Sequence, residues 1–172
     1  LELLNQGASA KKTIEILTEA DPHRDRRQVG IISIDGNAST FTGTKCLAWA
    51  GGKTGKNYAA QGNILAGPEV VDAMAEAFEK AEGDLGERLI AALRAGQKAG
   101  GDKRGRQSAA LLVVRKGWGY SGLNDRYRDL RVDDHPTPIE ELARVYAIHK
   151  KVFPPPPSPR LKREDSPAPG KP

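Results

Sequence analysis

Four stretches of this 172-residue chain gather polar side chains of the kind that hold or transform a ligand. The first, Gly51 to Asn57 (GGKTGKN), invites comparison with a phosphate-binding loop. That motif needs a glycine five places before its Gly-Lys pair and a hydroxyl directly after it. Ala50 stands at the first position and Asn57 at the second, so the stretch reads as a plain flexible loop. The second, Gly62-Asn63-Ile64-Leu65-Ala66-Gly67, joins a strand to a helix start. Backbone amides at a helix N-terminus can hold an anion or a developing oxyanion, and Asn63 adds a side-chain donor. A Gly-Asn turn without a ligand is the alternative.

The third stretch, Gly100 to Gln107 (GGDKRGRQ), sets Asp102, Arg104 and Arg106 just before an apolar strand. Charges at a strand edge pair with one another or with water. A guanidinium there can also grip a carboxylate through its planar fork. The fourth runs from Asn124 and Asp125 to His135 and is dense in opposite charges. Alternation along a strand points Asp125, Tyr127, Asp129 and Arg131 one way, and Arg126, Arg128, Leu130 and Val132 the other. The stretch is an ion-pair ladder, or one of its carboxylates serves a site. Asp133-Asp134-His135 is a poor metal cluster, since adjacent residues rarely converge on one ion and no second histidine lies at helical spacing. His23 and His149 are expected to be isolated and exposed. Ser108 and Ser121 lie outside any Gly-x-Ser-x-Gly elbow. Cys46 is expected to be a small buried apolar residue.

The elements that must carry these residues follow from periodicity. Ser9 or Thr13 caps a helix that ends at Asp21-Pro22. Gln28 to Ile34 and Ala38 to Thr44 form a hairpin about Asp35-Gly36-Asn37. Cys46 to Tyr58 is a strand end and loop, and Tyr58 to Leu65 a third strand. Gly67-Pro68-Glu69 starts a helix whose apolar face is Val70, Val71, Met74, Phe78 and Ala81. A second helix runs from Leu85 to Gln97. Ser108 to Val114 (SAALLVV) reads as a strand covered on both faces, with Asp125 to Val132 as its partner. Thr137, Pro138 and Glu140 predict a capping box on the last helix, with Lys150 and Lys151 in its final turn. Strands, a helical pair and strands again point to the α+β class. Two sheets with helices on their outer faces, or one sheet with helices on one side, both satisfy that order.

Composition narrows the classes. No apolar run reaches the ~20 residues of a membrane span. One cysteine excludes an internal disulfide framework and makes a reducing, cytoplasmic setting the expectation. The net charge is +5, of which the tail from Pro154 carries part, with four basic against two acidic residues. The remaining charge forms no basic stripe, so a nucleic-acid partner is not expected. Eight of the twelve prolines lie in residues 154–172, which read as a disordered or polyproline-like tail after a domain over residues 1–153.

Five segments together resemble the DUF1028 family: Leu1 to Pro22, Arg27 to Ile32, Gln61 to Phe78, Gly100 to Val114 and Leu123 to Pro138. The resemblance implies membership of the N-terminal-nucleophile (Ntn) hydrolase superfamily and its four-layer αββα sandwich. In such hydrolases the first residue of the mature chain is Thr, Ser or Cys, and its own α-amine acts as base. An α-amine with a pKa of ~7.7–8.0 suits that role. Leu1 has no nucleophilic side chain, and family members look to begin with further strands, so this chain is expected to be N-terminally incomplete and inactive alone, with unpaired sheet edges. The implied activity is hydrolysis of an amide (C–N) bond. Asn63 would polarise the carbonyl, while Asp102, Arg104, Asn124 and Asp125 would line the substrate pocket. No cofactor or metal is called for, and a small-molecule amide and a second copy of the chain are the expected partners. The competing readings are a non-catalytic binding or assembly protein on the same fold, and a basic nucleic-acid-associated module.

Overall fold

The computed structural model describes residues 1–155, so the proline-rich tail lies, beyond Pro155, outside the described residues. Five helices and six strands follow in the order α1 (Glu2–Asn5), α2 (Ala10–Glu19), β1 (Gln28–Ile32), β2 (Ala38–Thr42), β3 (Gly51–Gly55), β4 (Tyr58–Gly62), α3 (Glu69–Lys80), α4 (Leu85–Lys98), β5 (Ala109–Val114), β6 (Arg126–Val132) and α5 (Pro138–Val152). The strands form three antiparallel ribbons, β1–β2, β3–β4 and β5–β6. The chain is thus of the expected α+β class. None of the helices among the described residues is long and apolar enough to cross a membrane.

Ser9 caps α2 by accepting a hydrogen bond from the Lys12 amide at 3.1 Å. The helix buries Ala10, Thr13 and Ile14 and packs on β1 and β2. The first ribbon turns at Gly36, whose φ of +80° a side chain would resist, and it brings Val29 opposite Phe41.

The glycine-rich stretch expected to be a loop is a strand. Gly51 to Gly55 pairs along its whole length with β4, from Gly51 opposite Gly62 to Gly55 opposite Tyr58. Glycine weakens a strand unless something approaches its backbone closely. Here three neighbours do. A Cβ on Gly51 would collide with the Trp49 indole, one on Gly52 with the Thr40 side chain, and one on Gly55 with the Tyr58 ring. Pairing and packing therefore override the low strand preference that suggested a loop.

The two ribbons join through side chains and turn tips. The Gln28 amide nitrogen donates to Thr42 Oγ1 at 3.1 Å, to the Gly51 carbonyl at 3.3 Å and to the Gly62 carbonyl at 2.8 Å. At the tips, the Asn57 amide donates to the Gly36 carbonyl at 2.8 Å. On the far side of β3–β4 lies α3, so contacts run α2, β1–β2, β3–β4, α3.

α4 links this assembly to the third ribbon. Its Ala92 joins Tyr58, Ala75 and Phe78 in one buried cluster. Its Ile90 joins Leu111, Val113, Leu130, Val132, Leu142 and Tyr146 in another, and Leu89 touches both. Here a second expectation fails. β5 is covered on one face only: Leu111 and Val113 point into the cluster, whereas Leu112 is 56% and Val114 62% exposed. Both α4 and α5 pack on the inner side, and nothing among the described residues covers the outer one. An unbroken apolar run does not reveal which of its faces is covered, because both alternating sets are apolar.

The capping box expected on α5 is also absent. The Thr137 side chain makes no cap bond. Its amide and hydroxyl approach His135 Nδ1 at 3.0 and 3.2 Å, and Glu140 turns to Arg94. The complete capping box is on α4. Asp84 accepts from the Glu87 amide at 3.0 Å, and the Glu87 carboxylate accepts from the Asp84 amide at 2.9 Å. Asp84 also accepts from the Tyr146 hydroxyl, and Lys150 bonds Glu87 at 2.8 Å, which ties α5 to the start of α4.

Candidate functional site

Residues 99–108 leave the end of α4, cross beneath the β4–α3 connection and enter β5. Three backbone contacts fix the crossing. Leu65 forms a bridge with Asp102, the Ala66 amide donates to the Gly101 carbonyl at 2.9 Å, and the Lys103 amide donates to the Ile64 carbonyl at 2.8 Å. Gly101 takes φ +59° inside this clamp. The loop thereby walls a polar groove of about 640 Å³, whose other borders are Gln97 of α4, Asp134, and Pro138 and Ile139 of α5.

Two candidate residues meet there. Asp102 accepts from the Arg104 amide at 2.8 Å, from its Nε at 3.0 Å and from its Nη2 at 2.6 Å. The Arg104 guanidinium and amide together hold the Asp102 carboxyl down at about 2, so it stays ionised at neutral pH. Arg104 is raised in turn by the same bond. Asp102 is thus a fixed counter-ion and a poor proton acceptor. Arg106, exposed on the same wall, has no carboxylate partner among the described residues and faces both this groove and its extension toward Arg94 and Glu140. The arrangement offers cationic hydrogen-bond donors to an anionic group, with a carboxylate beside them for a cationic or amide group.

The remaining candidates lie apart. Asn63 is exposed in the turn after β4, two residues from the Leu65 bridge, and is near the groove without lining it. The start of α3 beside it is shielded by its own chain, since the Glu69 carboxylate lies where a Cβ on Gly67 would stand. Asn124 and Asp125 sit at the opposite end of β5–β6, on the order of 17 Å along the ribbon. Each is engaged in the local turn. Asn124 Oδ1 accepts from the Arg126 amide at 2.9 Å, and Asp125 Oδ1 accepts from the Gly117 amide at 2.9 Å. The fold therefore brings Asn63, Asp102 and Arg104 toward one end and leaves Asn124 and Asp125 at the other.

The model of a family of unknown function, DUF1028, matches residues 1–142. The chain belongs to the DUF1028 family. It is also similar to a solved structure described as the crystal structure of protein SPO2555 from Silicibacter pomeroyi, of the same DUF1028 family. The identity is 32% and the TM-score 0.73, over 84% of this chain and 62% of that one. The chain thus spans 62% of the length of that solved relative. No curated protein matches it.

Within this DUF1028 chain, two of the three histidine and cysteine expectations need adjustment. His149 is not isolated on the surface: it is half-buried, with Nδ1 2.8 Å from Arg128 Nη1. Burial, then the Arg128 charge, lowers its pKa. Cys46 is half-buried rather than buried, with Sγ 3.4 Å from the Arg27 carbonyl. His23 is exposed as expected. Two groove residues, Gln97 and Asp134, were not singled out as site residues from the sequence. Asp134 was visible only as part of the acidic run before His135, and Gln97 as an ordinary last-turn helix residue. Neither carries a local signal, because both reach the groove only through the packing of α4 against α5.

Proposed function

We propose that this chain is the scaffold and pocket-bearing part of an Ntn-type hydrolase acting on an amide (C–N) bond. The observation that supports the reading is the sequence of contacts α2, β1–β2, β3–β4, α3, the order in which an αββα sandwich would stack its layers. On this reading no residue of this chain is assigned as the nucleophile. The chain's own contribution is to bind and orient. Arg104 and Arg106 would engage an anionic group of the substrate, ionised Asp102 would hold Arg104 in place, and Asn63 would donate to the carbonyl oxygen. Asn124 and Asp125 would hold the far turn in shape rather than touch the same ligand.

The test uses the whole protein from which the chain comes. Mass spectrometry identifies the first residue of its mature form, and a panel of small carboxylated amides is assayed for release of amine. Turnover that disappears when that first Thr, Ser or Cys is changed to Ala is expected. A mature chain beginning with any other residue, or no turnover across the panel, overturns the hydrolase reading.

One observation favours the second reading, a binding or assembly protein on the same fold. The groove holds a carboxylate locked in its charged form and an arginine free to bind, which is binding chemistry without proton transfer. Saturable binding of succinate, lost in Arg106→Gln, together with no amide turnover by the whole protein, would select it.

A further inference from the structure

At the end of β5–β6 remote from the Asp102 groove, the segment Gly117–Gly122, β6 and the last turn of α5 border an open cavity of about 530 Å³. Its size falls within the roughly 300–1,000 Å³ typical of small-molecule pockets. Its walls are aromatic. Trp118 meets Tyr127 edge to face at 4.8 Å, and Tyr120 meets Phe153 edge to face at 6.3 Å.

Arg128 also lines this cavity and is 1% exposed. A buried guanidinium is normally matched by a carboxylate, because desolvating an unpaired charge costs several kcal/mol. Here every hydrogen-bond partner among the described residues is neutral. Nη1 donates to His149 Nδ1 and to the Phe153 carbonyl, each at 2.8 Å, and Nη2 donates to the Tyr127 hydroxyl at 2.7 Å. The Tyr127 ring lies 3.9 Å below the guanidinium. Nε, itself sealed from solvent, has no hydrogen-bond partner among the described residues. At the rim, Asp129 is paired with Arg126 at 2.8 Å and forms no ion pair with Arg128. The cavity therefore combines aromatic side chains with a buried cation that has no carboxylate partner among the described residues.

We propose that this cavity binds a small molecule carrying a carboxylate on an aromatic ring, with Arg128 as its buried cation. The ring lies among Trp118, Tyr120 and Phe153, and the carboxylate faces the Arg128 guanidinium, which has no carboxylate partner among the described residues. The site is independent of the hydrolase reading, which concerns the opposite end of the ribbon.

Benzoate is the probe and benzamide its neutral isostere. The chain has two tryptophans, so the indole N–H signals of Trp118 and Trp49 provide a local reporter and an internal control in one ¹H–¹⁵N spectrum. They are assigned with Trp118→Phe. Benzoate should shift the Trp118 signal saturably and leave Trp49 in place. Benzamide should bind roughly ten- to a hundredfold more weakly, as expected for loss of a charge-assisted hydrogen bond. Arg128→Gln should lose the benzoate preference. Should that variant not fold, the benzoate–benzamide comparison on the unaltered chain decides alone. Equal affinity for the two probes, movement of both tryptophans, or no saturable shift overturns the proposal. The Glu164→Gln/Asp165→Asn double variant separates a free ligand from the chain's own tail carboxylates. Unchanged benzoate affinity supports the free ligand, and a gain of tenfold or more overturns it.

Discussion

Leu111 and Leu112 are chemically identical neighbours that the fold treats oppositely, and replacing each by alanine measures how β5–β6 is covered. Leu111 is 4% exposed within the cluster formed with Ile90, Leu130 and Leu142, while Leu112 is 56% exposed on the outer face. Truncating a buried leucine removes three carbons, about 2.4 kcal/mol at ~0.8 kcal/mol per buried methylene. The cavity left behind adds to this, so Leu111→Ala should cost about 3–4 kcal/mol. Leu112 has less than half of its surface to lose, so Leu112→Ala should cost at most about 1 kcal/mol. For a chain of this size the melting temperatures should fall by about 6–16 °C and by no more than about 4 °C, respectively. Urea unfolding followed by circular dichroism gives both free energies, and an unchanged dependence on urea shows that the two ends of the transition are the same states. Equal costs for the two variants would refute the one-sided ribbon and restore a strand covered on both faces.

Asp84→Ala removes the α4 cap and the contacts to Tyr146 and Lys150, and should destabilise the chain by about 1–2 kcal/mol, against a few tenths for Thr137→Ala, whose side chain makes no cap bond. The same urea series reads both, and a larger loss for Thr137→Ala would reverse the capping assignment. Carboxyl NMR should place the Asp102 midpoint near 2 rather than at the ordinary 3.8. Because this folded value is depressed, its stabilising contribution is complete above the unfolded pKa and disappears as pH falls through about 2. Ligand binding in the groove should therefore show no Asp102 titration between pH 5 and 8, and a midpoint near 4 would break the Asp102–Arg104 pairing. Gly43→Ala places a Cβ against the backbone carbonyls of Arg24 and Asp25, which cannot swing aside, and should cost about 1–3 kcal/mol or prevent folding. A melting temperature within 2 °C of the unaltered chain, roughly 1 kcal/mol or less, would show that this contact relaxes.

Local chemistry made much of the fold legible. Ser9 before an apolar helical face, Gly36 in a turn between β-branched runs, and Pro68 and Pro138 at helix starts each act within a few residues, and each element stands where those signals put it. Cap assignment went astray where two partners competed. The Thr137 hydroxyl has His135 within reach, and Glu140 has Arg94, a residue 46 positions away. Gly51 to Gly55 looked like a loop because glycine has no side chain to declare a strand, and the rings and hydroxyl that exclude a Cβ there come from Trp49, Thr40 and Tyr58. The family, too, was readable from five segments, since those stretches are long and unusual.

The sequence by itself determined four of the five helices of the described residues, two of the three hairpins, the family and the charged loop with its Asp102, Arg104 and Arg106. Tertiary structure alone decided that Asp102 is locked to Arg104, that Gln97 and Asp134 join their groove, and that Asn124 and Asp125 stand at the other end. It alone decided that Arg128, one charge among many in β6, is buried against His149 and Tyr127 with no carboxylate partner among the described residues. The physical reason is range. Caps, turns and periodicity are set by neighbours along the chain, whereas the protonation and burial of a side chain are set by whatever folding brings within a few ångströms, and sequence spacing does not encode that distance.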